Sequence, residues 1–123
     1  MRNINRSFGG SLGTQTAALF IGGSTGSITA IVEQWNGSSW TEVSDLNEGR
    51  TSGEGSGTVT DGIFFGGNDG SVAASTEAWN GSIWTEVNNL ATARSNISGA
   101  GTGSLAFAAG GYTTTGVANT EEW

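Results

Sequence analysis

The chain has 123 residues, among them 22 glycines and no proline, cysteine or histidine, and four arginines leave it with a formal net charge of −7. Without cysteine it has no disulfide, thiolate nucleophile or cysteine metal site, and without histidine it lacks the commonest general base and transition-metal ligand. The acidic balance disfavours nucleic acid and anionic membranes as partners, because both are bound through basic patches.

No signal peptide or membrane-spanning run is evident, which leaves a virion, extracellular or cytoplasmic location open. Glycine, serine and threonine are abundant, as in disordered linkers, but five tryptophans and five phenylalanines argue for a folded chain.

The sequence repeats with a period of 44 residues, and its first two repeats are identical at 21 of 44 positions without an insertion. A fixed period of this length indicates a repeat architecture. The predicted units are residues 1–5 as the end of a preceding repeat, 6–49 and 50–93 as complete repeats, and 94–123 as a third repeat that lacks its outer strand.

Each repeat contains short strand candidates separated by turn residues: a small, glycine-rich strand, an apolar strand, and two strands that carry tryptophan and charge. No segment has a sustained helical period, so the sequence predicts an all-β protein. In chain order the predicted strands are Phe8–Thr14, Ala18–Ile21, Ala30–Trp35, Ser38–Val43, Ser52–Thr58, Ile63–Phe65, Ala74–Trp79, Ser82–Val87, Asn96–Thr102, Leu105–Ala109 and Ala118–Trp123.

An Asn-Gly pair follows Trp35 and predicts a hairpin closed by a two-residue type I′ turn. With this turn Trp35 pairs with Ser38, and Glu33 pairs with Trp40. The two tryptophan rings are then expected to lie diagonally on one face of the hairpin.

The order of these features resembles the kelch repeat: an arginine, a glycine-rich strand, an apolar strand that ends in Gly-Gly, then Glu-x-Trp and a second tryptophan. The tryptophan at the first aromatic position and the short Trp–Trp spacing depart from the family. The near-identical repeats are also similar to kelch-like repeats of phage and environmental bacterial proteins. The matching positions are Arg6, Arg50, Arg94, Gly22, Gly23, Gly66, Gly67, Gly110, Gly111, Glu33, Glu77, Glu121, Trp35, Trp40, Trp79, Trp84 and Trp123.

The resemblance implies four-stranded blades arranged as a β-propeller of about six or seven blades. One chain supplies just under three blades, and an open set of three leaves two apolar faces uncovered. We therefore expect a homo-oligomer that closes the ring, with a dimer of about six blades favoured.

Several repeated residues have a structural and a functional interpretation. The glycine pairs predict turns rather than phosphate-binding loops, because no helix follows them and the chain has no lysine. The tryptophan pairs predict packing between blades, with a sugar-stacking platform as the alternative. The repeated arginines and glutamates predict Arg–Glu pairs, or arginines that donate hydrogen bonds to loop carbonyls. The functional alternative is a ring of glutamates that binds a cation or a ring of arginines that binds an anion.

The loops that differ between repeats carry the remaining functional information, since binding residues concentrate on loops of a rigid scaffold. In the kelch family these loops lie on one face, around the channel mouth. Polar loops with one tyrosine suit a glycan or a polypeptide surface. The predicted binding residues are Ser24, Thr25, Asn47, Glu48, Asn68, Asp69, Tyr112 and Thr113.

The sequence thus predicts a non-catalytic binding or scaffold module with a protein or glycan partner, without cofactor or metal. The copper oxidase activity of some kelch propellers is not expected, because its ligands are histidine, tyrosine and cysteine. The alternative is a purely structural component of a larger assembly such as a phage appendage. A glycoside hydrolase that uses two loop carboxylates is a third, less favoured hypothesis.

Overall fold

A computed structural model describes residues 5–101, 106–113 and 120–122, and within these ranges the chain forms strands and turns but no helix. The strands belong to three antiparallel sheets, two of four strands and one of three. They are β1 (Gly10–Gly13), β2 (Ala18–Ile21), β3 (Val32–Trp35), β4 (Trp40–Val43), β5 (Glu54–Gly57), β6 (Gly62–Phe65), β7 (Thr76–Trp79), β8 (Trp84–Glu86), β9 (Ser98–Gly101), β10 (Ala106–Ala109) and β11 (Thr120–Glu122).

Each sheet is a meander in which consecutive strands pair, so each sheet corresponds to one sequence repeat. The predicted strand Ala18–Ile21 has the same bounds in the structure, and the other predicted strands lie over observed ones. Trp123, residues 1–4 and the predicted strand ends at Thr102, Leu105 and Ala118 lie outside the described residues.

The first strand of each repeat begins two residues later than the sequence predicts. Phe8, Ser52 and Asn96 have φ angles of 60°, 59° and 53°, which are incompatible with an extended strand. The strands therefore start at Gly10, Glu54 and Ser98.

The predicted register of the hairpin is wrong. Trp35 pairs directly with Trp40, and Glu33 pairs with Glu42. The side-chain oxygen of Asn36 accepts hydrogen bonds from two backbone N–H groups, those of Ser38 and Ser39, at 2.9 Å. The asparagine therefore closes a four-residue loop in place of a two-residue turn.

Apolar side chains fill the two spaces between successive sheets. The first cluster joins residues of the first repeat to Phe64, Trp79 and Trp84 of the second. The second cluster joins Ile63 and Phe65 to the third repeat. Because side chains alternate along a strand, β6 supplies both clusters from its two faces.

The sheets approach one another most closely along their first strands, where β1 contacts β5 and β5 contacts β9. A Cβ atom on Gly55 would lie 2.6 Å from the carbonyl oxygen of Ser11, and one on Gly10 would lie 2.4 Å from the ring of Phe64. Small residues in the first strands therefore permit this approach. Together these strands border a cleft of about 480 Å³.

Candidate functional site: the loop face

Two sets of loops lie at one edge of the sheets, which we call the loop face. The first set joins the second and third strands of a repeat and contains Asn68 and Asp69. The second set joins a fourth strand to the next repeat and contains Asn47 and Glu48. Backbone bridges from Thr51 to Asn68 and from Asn68 to Val72 hold the first loop against the scaffold.

The two loop sets meet where the first repeat joins the second. The carboxyl groups of Glu48 and Asp69 lie close enough together that each shifts the pKa of the other. The Oε1 atom of Glu48 also accepts a hydrogen bond from the hydroxyl of Ser75 at 3.1 Å. Asn47 donates its side-chain amide to the backbone oxygen of Trp84 at 3.0 Å. Three of the predicted binding residues are thus held at one junction.

The two carboxyl groups have pKa values that move apart. Burial raises the pKa of Glu48, and the neighbouring carboxyl group of Asp69 raises it further. The backbone N–H of Ser71, followed by the side chain of Glu48, lowers the pKa of Asp69. Asp69 therefore loses its proton at a lower pH than Glu48 does.

Local hydrogen bonds shape the exposed tip of this loop. The side-chain oxygen of Asn68 accepts from the N–H of Gly70 at 2.9 Å, and Asp69 accepts from the N–H of Ser71 at 3.2 Å. Such Asx turns fix short polar loops without a hydrophobic anchor.

The remaining predicted binding residues occupy equivalent places in the other two repeats. Ser24 bridges Ser7, and Tyr112 bridges Ser95 with two backbone hydrogen bonds of 2.8 and 2.9 Å. Thr25 and Tyr112 are exposed, whereas Ser24 and Thr113 are partly buried. Thr25 and Thr113 occupy the positions that correspond to Asp69. The pair of carboxyl groups, Glu48 and Asp69, is therefore specific to the junction of the first two repeats.

Each repeat has an Arg–Glu pair just beneath the loop face, which is fully buried in the first two repeats and partly exposed at Glu121 in the third. Each guanidinium bonds both to its glutamate and to backbone oxygens, among them those of Gly22, Gly66 and Gly110. The two arrangements predicted for the arginines, ion pairs and hydrogen bonds to loop carbonyls, therefore occur together. The pairs are Arg6–Glu33 at 2.8 Å, Arg50–Glu77 at 3.0 Å and Arg94–Glu121 at 2.6 Å.

The glutamates of the second and third pairs also join successive repeats. Glu77 accepts hydrogen bonds from the backbone N–H groups of Asn47 and Glu48, at 2.7 and 3.3 Å. Glu121 does the same with Ala91 and Thr92. The sequence analysis missed this contact and the role of Ser75. No sequence pattern marks this contact, because its donors are backbone N–H groups of residues that differ between the repeats.

The glycine pairs have the backbone conformation that turns require. Gly22, Gly66 and Gly110 have φ angles of 64° to 66°, and the glycines that follow them have φ angles of 96° to 103°. A side chain would be strained there.

The tryptophan pairs differ in burial between the first and second repeats. Trp79 and Trp84 are 2% and 4% exposed and lie in the cluster between the two sheets. Trp35 and Trp40 stack on each other in the same way but are partly exposed. The packing assigned to the tryptophans therefore holds for the second repeat.

Across the ranges that the structure describes, no three acidic, histidine or cysteine side chains are grouped so that they could hold a metal ion. The same ranges contain no helix of the length and apolarity that would cross a membrane.

The architecture defines an all-β chain of repeated antiparallel sheets. No protein-family model matches the chain, and no curated protein matches it. Among solved structures, the chain is similar to YjhT, with a TM-score of 0.80 and 14% sequence identity over 98% of this chain. The chain spans 42% of the length of YjhT. At this identity the likeness shows the fold alone.

Proposed function

We propose that this chain is a kelch-like β-propeller segment of just under three blades, closed into a ring by self-association, that serves as a non-catalytic binding scaffold. The order of repeat features and the three consecutive sheets that touch along their first strands support the propeller arrangement. Each sheet buries one face against its neighbour, as blades do.

The observation that carries the binding role is the meeting of two variable loops at the junction of the first and second repeats. Asn47 and Asp69 are exposed there and Glu48 is partly buried, and the carboxylate of Glu77 holds the backbone N–H groups of Asn47 and Glu48. Amide and carboxylate groups on a rigid scaffold suit the hydroxyl groups of a glycan or the backbone of a protein partner.

We expect Asp69→Ala to abolish glycan binding on an array while changing the free energy of unfolding by no more than about 0.5 kcal/mol, as exposed loop substitutions do. The matched control is Asp61→Ala, an exposed carboxylate in the turn between β5 and β6, which should leave binding intact. Array binding and urea denaturation measure the two effects.

Unchanged glycan binding by Asp69→Ala would contradict the assignment of this loop. A large destabilisation would show that the loop face is buried against another chain, which is the behaviour expected of a purely structural component.

A further inference from the structure

The hairpin loops of the first and second sheets, residues 36–39 and 80–83, share one arrangement around an asparagine that precedes glycine. In both loops Oδ1 of the asparagine, Asn36 or Asn80, accepts hydrogen bonds from the backbone N–H groups of the second and third residues after it, all at 2.9 Å. Because both partners are donors, the bonded atom is the amide oxygen. The amide nitrogen has no partner among the described residues and lies in an exposed loop.

This pair of N–H groups has the arrangement that stabilises the tetrahedral intermediate of acyl-group chemistry. When a nucleophile adds to a carbonyl carbon, negative charge develops on the oxygen, and donors already in place stabilise that charge. In both loops the hydrogen bonds that close the loop also lie where this oxyanion would form. The side-chain amide is therefore an activated electrophile.

The nucleophile is the backbone nitrogen of the glycine that follows each asparagine. The N–H groups of Gly37 and Gly81 have no acceptor among the described residues, and both glycines are exposed. A Cβ atom added to Gly37 would have its nearest neighbour at 3.4 Å, and one added to Gly81 would have it at 3.7 Å, so neither site is crowded. Attack on the preceding side chain is intramolecular and closes a five-membered ring.

We infer that Asn36 and Asn80 are sites of spontaneous modification, at which the folded loop promotes loss of the side-chain amide. The glycine nitrogen gives up its proton and forms a bond to the side-chain carbon. The bond from this carbon to its NH2 group then breaks, and the group takes up the proton and leaves as ammonia. The resulting succinimide adds one water molecule and opens to aspartate or isoaspartate. This inference is independent of the proposed function.

The aspartate product retains the structure of the loop. A carboxylate oxygen accepts the same two N–H groups, and hydrogen bonds to an ionised acceptor are roughly twice as strong as neutral ones. Isoaspartate adds one carbon to the main chain and would disturb the loop that sets the pairing of Trp79 with Trp84.

Asn68 provides a comparison within the same chain. Its Oδ1 accepts only one backbone N–H, that of Gly70 at 2.9 Å. The residue that follows it is Asp69, whose own N–H is held by the backbone oxygen of Ser71 at 3.1 Å. Both the activation of the carbonyl and the free nucleophile are therefore weaker at Asn68, which should react more slowly.

The test follows the purified chain by isoelectric focusing during incubation at mildly alkaline pH in water enriched in heavy oxygen. The expected result is two successive acidic species, each with one additional negative charge. Peptide mapping should place the oxygen label at residues 36 and 80 before any appears at residue 68. The double variant Asn36→Asp/Asn80→Asp is the matched control, and it should focus at the end-point from the start and melt no lower than the parent.

A comparison with the chain unfolded in urea separates the effect of the loop from that of the Asn-Gly sequence. Unfolding removes the fixed donors and leaves the sequence unchanged, so the folded chain should react several-fold faster. A folded chain that reacts no faster than the unfolded one overturns the inference. Labelling at only one of the two Asn-Gly pairs, or labelling of Asn68 as fast as Asn36, would also overturn it.

Discussion

Replacement of Trp84 by alanine is expected to destabilise the chain by about 3–5 kcal/mol, the usual range for removal of a buried tryptophan. Trp84 is 4% exposed, packs edge-on against Phe64 and lies in the cluster that joins the first two sheets. Its loss would leave a cavity between the sheets. Urea denaturation of the purified variant measures the change.

Two matched variants separate packing from a ligand-stacking role. Trp84→Phe retains one aromatic ring and loses the remainder of the indole, whose N–H has no acceptor among the described residues, so it should cost less than alanine. Trp40→Ala should cost the single chain less than Trp84→Ala, since Trp40 is partly exposed. An unaltered melting temperature for Trp84→Ala, with loss of sugar binding, would contradict the packing assignment.

Replacement of Glu77 by glutamine is expected to destabilise the chain by about 3–5 kcal/mol, because it leaves the charge of Arg50 buried without a counter-ion. Both side chains of the pair are fully buried. The carboxylate also accepts hydrogen bonds from two backbone N–H groups of the preceding repeat, one at each oxygen. Glutamine has a single side-chain oxygen and can replace only part of this hydrogen bonding. The same denaturation experiment measures the loss.

Glu86→Gln is the matched control, since Glu86 is exposed on the neighbouring strand and lies opposite Glu77. This variant should stay within about 0.5 kcal/mol of the parent. Similar small changes for both variants would show that the Arg50–Glu77 pair does not hold the two repeats together.

The sequence predicts the sheets well because the repeat identifies equivalent positions. The strand Ala18–Ile21 is apolar and ends in a glycine pair, and its bounds agree with the structure. The Arg–Glu pairs were also foreseeable, since both residues recur at the same spacing.

The errors arise where a side chain bonds to the backbone of residues that follow it or where φ is positive. Asn36 accepts hydrogen bonds from two backbone N–H groups and so closes a four-residue loop. The Asn-Gly pattern alone does not distinguish this loop from a two-residue type I′ turn. Phe8 adopts a conformation that is rare for a bulky residue, which no local propensity indicates.

The candidate site was predictable only in part. Variation between repeats identified Glu48 and Asp69 as separate loop residues. The short distance between their side chains depends on how one repeat packs against the next. This packing is stabilised by hydrogen bonds from the backbone N–H groups of Asn47 and Glu48 to Glu77. Such contacts lie about 30 residues apart in sequence and have no local pattern.

The central proposal is that these sheets are blades of a propeller that the chain closes into a ring by self-association. Light scattering of the purified chain at micromolar concentration tests it most directly. The expected result is a single folded species of about twice the 12.4 kDa chain mass, as two chains in one ring require. A folded, monodisperse particle near 12.4 kDa would contradict the claim.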